Sequence, residues 1–165
     1  MLSGDFFPAV IHGDLFLLSG LVARRKAVLD AGPFNERFRF FNDWEFFARL
    51  CLQGPGAYLD FNCFRRDTGR ADQISHGRPM IATARRRRFI LRTLPRRFSR
   101  QMAAYASPLA VATDDANYFM ARCLVQTRHR RWARRYLYRC LRRGYKPVRS
   151  LVLLAKSFTA VGISS

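Results

Sequence analysis

The stretch Asn42-Asp-Trp-Glu45 sets a carboxamide and two carboxylates at the start of a helical pattern. Trp44, Phe47, Ala48 and Cys51 follow at i, i+3, i+4 and i+7, which predicts one buried face. Asn42 is read as the cap, with Glu45 at the capping-box offset, although Asn replaces the usual Ser or Thr. Asp43 then falls in the first turn, where the helix macrodipole favours its charged form. A carboxylate ionised at neutral pH can serve as a general base. It is also the residue type that helix starts select for dipole reasons alone.

Other clusters of reactive side chains carry less. Cysteines stand at 51, 63, 123 and 140, none in a C-x-x-C pair and all within apolar patterns. They read as buried thiols of a cytosolic protein, not as zinc ligands or disulfides. His12, His76 and His129 have no ligand spacing. Asp114-Asp115 lacks the apolar strand that would precede a metal-binding D-x-D, and capping of a helix from Thr113 explains the pair better.

The elements that must position Asp43 can be read on either side of it. Leu15 to Ala23 is an apolar run of strand length. Arg24 to Ala31 predicts two helical turns, stopped by a left-handed Gly32 and by Pro33. Residues 34–41 form an aromatic-rich loop, and Gln53-Gly-Pro-Gly56 ends the Asp43 helix. From Ala57 to Phe64, Leu59, Phe61 and Cys63 alternate with polar residues, as in a half-buried strand. Residues 65–78 read as a loop. Helices are expected from Met80 to Leu94 with a stop at Pro95, from Arg97 to Tyr105 with an end near Pro108, from Thr113 to Thr127, after His129 to a stop at Gly144, and from Pro147. Their apolar stripes include Trp132, Tyr136, Leu137, Cys140 and Leu141 on the fourth and Leu151, Leu154 and Phe158 on the fifth. Short links imply antiparallel neighbours. Ala133, Leu137 and Cys140 also fit one helix of a TPR-like unit, which would need neighbours to bury its face.

Five short stretches in order give residues 18 to 75 a resemblance to the C-terminal half of a family 2 glycosyltransferase of the GT-A fold. They are Leu18-Ser-Gly-Leu-Val-Ala-Arg-Arg25, Ala27-Val-Leu-Asp-Ala-Gly-Pro-Phe-Asn-Glu36, Asn42-Asp-Trp-Glu-Phe-Phe-Ala-Arg-Leu50, Phe64-Arg-Arg-Asp67 and Ile74-Ser75. The third is similar to the family's "EDwdLwlRl", whose aspartate is the base of an inverting transfer. The resemblance implies that Asp43 is that base and that Asn42, where the family usually has Glu, orients it. It also implies that Trp44 and Phe34 could floor an acceptor sugar, with Asn35 beside Phe34. Trp44 belongs first to the predicted core stripe and only second to such a platform. Arg65 would face the donor diphosphate, or simply begin a solvated run. Asp67, where the family often has His, takes no assigned role. The complete enzymes hold Mg²⁺ or Mn²⁺ with a D-x-D in an N-terminal nucleotide-binding half. No D-x-D occurs in the 165 residues, and only 14 residues precede the apolar run that starts at Leu15, so that half is expected to be missing and the chain to transfer sugar poorly alone.

Charge separates the two parts of the chain. Residues 1–64 carry six Lys and Arg against seven Asp and Glu, whereas residues 65–165 carry 24 against four. The expected class is α+β and mostly helical. Residues 1–78 would be a partial GT-A-like segment with about two strands, and residues 79–165 a basic helical bundle or tail. With 49% hydrophobic residues the chain can bury a core, which argues against disorder. No apolar run approaches the roughly 18 residues of a membrane span, and Met1-Leu-Ser-Gly-Asp5 does not open a signal peptide. The expected partners are a nucleotide sugar, a glycan or lipid-linked acceptor, an anionic membrane surface and a separate N-terminal half. The location is cytoplasmic, peripheral at the inner face of the cell membrane. The competing readings are a basic helical module that binds nucleic acid and an inactive partner-binding remnant.

Overall fold

The computed structural model describes residues 1–13, 18–38, 41–62, 65 and 80–158. The fold is α+β and mostly helical. Strand β1 (Leu2–Gly4) pairs antiparallel with β2 (Gly56–Tyr58), with Leu2 opposite Tyr58 and Gly4 opposite Gly56. A Cβ at Gly56 would stand 3.1 Å from the Phe6 ring, which would have to shift slightly to admit it. Helices α1 (Phe7–His12), α2 (Arg25–Ala31) and α3 (Asn42–Cys51) make up the rest of the front part.

The expected strand at Leu15 to Ala23 is corrected, and the one from Ala57 to Phe64 is shortened to its start. Leu18–Gly20 is a turn of 3-10 helix and residues 21–24 have no regular structure, while residues 15–17 lie outside the described residues. Strand β2 ends at Tyr58 because its partner is only three residues long. Beyond it Leu59 is 58% and Phe61 68% exposed, so the alternating pattern there is not a buried face. Cys63, Phe64, Asp67 and most of the expected loop over 65–78 lie outside the described residues. The stop after α2 is as expected in place: Gly32 has φ +81°, and its N–H reaches the Val28 and Leu29 carbonyls.

The back part consists of α4 (Met80–Arg97), α5 (Ser99–Met102), α6 (Ala106–Gln126), α7 (Arg130–Arg142) and α8 (Pro147–Lys156). Proline misleads at two boundaries. Helix α4 runs through Pro95, since Ile90, Leu91 and Leu94 are anchored in the core and Phe98 N–H still reaches the Leu94 carbonyl. Pro108 does not close a helix but sits in the first turn of α6, where no N–H is required. Thr113 and Asp114-Asp115 are therefore in mid-helix and cap nothing. The two carboxylates instead tie neighbouring basic helices: Asp114 pairs with Arg143 at 3.0 Å, and Asp115 with Lys146 at 2.7 Å and Arg87 at 3.1 Å. The Tyr145 hydroxyl donates to Asp115 as well, at 2.7 Å.

The inward faces of α7 and α8 also differ from the apolar stripes. Ala133, Leu137 and Cys140 are buried, while Trp132 is 57% exposed and stacks under Arg135. On α8 Ser150 and Ser157 turn inward, the first donating to the Tyr145 carbonyl and the second taking up Arg134. Leu151 and Phe158 are exposed. Gly144, at φ +66°, ends α7 with Tyr145 N–H on the Cys140 carbonyl and Gly144 N–H on the Leu141 carbonyl, a left-handed stop.

One apolar cluster spans the front and back parts. It joins Phe7, Val10 and Ile11 of α1, Trp44 and Phe47 of α3, Ile90, Leu91 and Leu94 of α4, and Ala112 and Ala116 of α6. Each large side chain so buried contributes about 1.5–3 kcal/mol. A second cluster of Ala84, Met120, Cys123, Leu124 and Ala133 holds α4, α6 and α7 together. The front part thus rests on the basic helices through a shared core, across the change in charge at residue 64.

Candidate functional site

Helix α3 begins where Phe41, in a left-handed conformation at φ +65°, turns the chain and accepts the Glu45 N–H on its carbonyl. The expected capping box does not form. Asn42 Oδ1 accepts the Asp43 N–H and Asp43 Oδ1 accepts the Trp44 N–H, each at 2.9 Å, so two orphan donors are met by adjacent side chains. Glu45 is drawn away to Arg49, one turn on.

Arg49 explains why. Its side chain is wholly buried and engages Glu45 at two points, Nε to Oε1 at 2.9 Å and Nη2 to Oε2 at 2.8 Å. The rest of the guanidinium donates to the carbonyls of Ala31, Gly32 (3.0 Å) and Pro33 (2.9 Å). Helix α3 is thereby clamped to the loop that follows α2. A buried cation must be paired and hydrogen-bonded, and only a planar fork of five donors can serve a carboxylate and three carbonyls at once.

The loop so held carries Phe34 and Asn35. Phe34 is partly exposed and stacks on Phe46 at 4.4 Å between ring centroids. Phe46 stands three residues beyond Asp43, on the adjacent turn of the same helix face. Asn35 closes a small turn, accepting the Arg37 N–H on Oδ1 and the Phe38 N–H on its carbonyl. Phe34 thus lies against α3, the helix that carries Asn42 and Asp43, with Asn35 next to it in the loop.

Two other expected site residues stand apart. Trp44 is 1% exposed, and its Nε1 donates to the Val10 carbonyl at 2.6 Å in the core. It has no face to offer a sugar, so the platform reading is corrected to core. Arg65 is exposed and makes no hydrogen bond or ion pair with the described residues. Asn42 is also corrected in part: it braces the backbone of Asp43, not its carboxylate.

Asp43 itself is half-buried, with Oδ1 held by the Trp44 N–H and Oδ2 without a hydrogen-bond partner among the described residues. One oxygen fixed and the other free is the arrangement in which a carboxylate can receive a proton from a ligand. No three His, Cys, Asp or Glu side chains come together as a metal site among the described residues. Glu45, the nearest second carboxylate in the sequence, is consumed by Arg49. The carboxylates around Asp43 do not fit a divalent cation.

Sequence reasoning missed the clamp. Arg49 lies outside the Trp44–Phe47–Cys51 stripe, which gives it no inward place. The Glu45–Arg49 spacing of four was the available signal. Comparison with known protein families, with curated proteins and with solved structures gives no match.

Proposed function

We infer that this chain carries the acceptor-side part of a family 2 glycosyltransferase, with Asp43 as the base of an inverting transfer. In that reaction the acceptor hydroxyl oxygen attacks the anomeric carbon of a nucleotide sugar. Asp43 Oδ2 takes the hydroxyl proton, and the bond from the anomeric carbon to the diphosphate oxygen breaks. General-base assistance of this kind is worth roughly 100- to 10,000-fold. Phe34 offers a partly exposed aromatic face to the acceptor, and Asn35 and Asn42 hold the backbone on either side. Mg²⁺ or Mn²⁺ would belong to the nucleotide-binding half with its D-x-D, and no step here runs through it.

The observation that carries this reading is the Arg49 clamp. The stretches Ala27–Glu36 and Asn42–Leu50, which carry the family resemblance, are separate in sequence and are joined by Arg49 through Ala31, Gly32 and Pro33. Phe34 of the first then stacks on Phe46 of the second, on the helix that carries the half-buried Asp43. The test is to combine this chain with the nucleotide-binding half of a family 2 enzyme and screen nucleotide sugars for transfer. Transfer by the combination above that of either part supports the reading; none, from parts shown to associate, counts against it.

The acceptor side of such a reaction fits a lipid-linked glycan at an anionic membrane surface. No helix among the described residues is long and apolar enough to cross a membrane. Helix α8 exposes Val148, Leu151 and Val152 on one face, with Arg149 and Lys156 on the same helix. Apolar residues flanked by cations suit the headgroup boundary. Sedimentation with phosphatidylserine vesicles, lost in Leu151→Asp/Val152→Asp, is the expected result; equal sedimentation of that variant would remove α8 from the account.

A further inference from the structure

The helical part contains a cleft of about 620 Å³ lined by three helices in the same pattern. Helix α4 contributes Arg88, Leu91 and Arg92; α6 contributes Thr113, Ala116 and Asn117; α7 and its end contribute Arg139, Arg142 and Arg143. Each set is spaced i, i+3, i+4, so each helix turns a single face to the cleft. Helix α6 packs against both α4 and α7. Its small residues form the floor and the arginines of the other two form the walls.

Five arginines line one cavity, and among the described residues a carboxylate pairs with only one of them. Arg143 pairs with Asp114 at 3.0 Å. Arg88 is fixed by neutral partners, donating to Asn117 Oδ1 at 3.0 Å and to the Tyr136 hydroxyl at 2.8 Å. Its ring contact with Tyr136, at 4.5 Å, sets the plane of the guanidinium. Arg92, Arg139 and Arg142 have no carboxylate or hydrogen-bond partner among the described residues. Burial lowers the Arg88 pKa, Tyr136 opposes this, and the neighbouring Arg92 and Arg139 charges lower it further. Arginine does not escape such crowding by losing its proton. Like charges converging on a hollow are relieved by an anion within it.

We propose that this cleft binds the diphosphate group of a small ligand. Arg88 would act as the prealigned fork, and Arg92, Arg139 and Arg142 would close on the phosphate oxygens from both walls. Guanidinium groups match phosphate in two-point geometry, and prealignment lowers the ordering cost of binding. The volume suits a small molecule. Leu91 and Ala116 are buried beneath the cleft and no aromatic ring lines it among the described residues, so the recognised part is the diphosphate and not a stacked base. The same chemistry could come from a free nucleoside diphosphate or from a diphosphate-linked lipid. The site is remote in sequence from Asp43 and does not rest on the glycosyltransferase reading.

The test is calorimetric titration of the full chain with inorganic pyrophosphate at about physiological salt, where exposed charges more than about 8 Å apart are largely screened. Saturable one-to-one binding is expected, weakened at least tenfold in Arg139→Gln/Arg142→Gln and less than twofold in Arg131→Gln, an exposed arginine of α7 outside the cleft. All three proteins should melt alike, since the altered side chains are exposed. Uridine diphosphate and phosphatidylcholine vesicles carrying a polyprenyl diphosphate then separate the two sources by which of them competes with pyrophosphate. Absence of saturable binding would overturn the proposal. So would equal losses in the cleft and control variants, or displacement of pyrophosphate by duplex DNA in proportion to its length, which would mark a general basic surface.

Discussion

Arg49 and Glu45 form a two-point ion pair inside the protein, and the same guanidinium also binds three consecutive carbonyls, those of Ala31, Gly32 and Pro33. The pair therefore does more than neutralise a buried charge. It fixes where the loop bearing Phe34 lies against the helix bearing Asp43.

Removing one partner should expose that role. Glu45→Gln leaves a buried cation, and Arg49→Met leaves a buried carboxylate and three carbonyls. Breaking a buried pair in this way costs about 3–5 kcal/mol. Arg49→Lys should recover little, because an ammonium lacks the planar fork. Urea unfolding of the three variants checks this, and a loss below about 1 kcal/mol would show that the clamp does not hold the loop.

The two tryptophans should report opposite environments. Trp44 is sealed in the core against Val10, and Trp132 is more than half exposed. Iodide should quench the fluorescence of Trp44→Phe, which retains Trp132, and leave that of Trp132→Phe almost untouched. Trp44→Phe should also cost about 1–3 kcal/mol, since the Val10 carbonyl loses its buried donor.

Asp115 should make stability depend on pH on the acid side. Burial pushes its carboxyl pKa up, but hydrogen bonds from Lys146 and Tyr145 and the Arg87 charge outweigh that and leave it below the usual value. A carboxylate whose pKa is lower when folded stabilises the fold above its unfolded pKa, about 3.9. That contribution is lost as pH falls through the lower folded value. Thermal melting of Asp115→Asn should be weaker than wild type at neutral pH, and the gap should narrow below about pH 4. A gap that stays constant would mean that the anion is not what matters.

Cys140 should be inert in the native state. It is buried, and burial together with Asp114 and Asp115 pushes its thiol pKa up to about 11. Only the thiolate reacts, so Cys140 should escape iodoacetamide at about pH 8 and be labelled in urea. Peptide mapping distinguishes it from the other thiols, and rapid native labelling would contradict its place in the core.

Much of the helical organisation is legible in the sequence, because stripes such as Trp44–Phe47–Ala48 and Ala133–Leu137–Cys140 repeat at helical spacing and glycines mark the ends of α2 and α7. Boundaries governed by packing are not. Pro95 and Pro108 read as breaks, yet tertiary anchoring carries α4 past the first, and the second opens α6. Asp114 and Asp115 read as caps because a local rule explained them; their partners lie about 30 residues away, at Arg143, Tyr145 and Lys146. The strands failed for the converse reason. A period of two does not say whether anything covers the apolar side, and Leu59 and Phe61 have no such cover. At the candidate site, Asp43 could be singled out from the sequence, whereas the burial of Trp44 and the Arg49 clamp depend on α1 and on the α2 loop. The arginine cleft was present as three i, i+3, i+4 sets, but their convergence becomes visible only once α4, α6 and α7 are packed.

The central claim is that Asp43 takes the proton of the acceptor. Its most direct test is the turnover number of Asp43→Asn, in the chain combined with a nucleotide-binding half, beside a wild-type assembly of equal melting temperature. Asn keeps an oxygen for the Trp44 N–H but cannot act as the base, so a fall of roughly 100- to 10,000-fold with little change in KM is predicted. Turnover equal to that of the wild type would contradict the assignment.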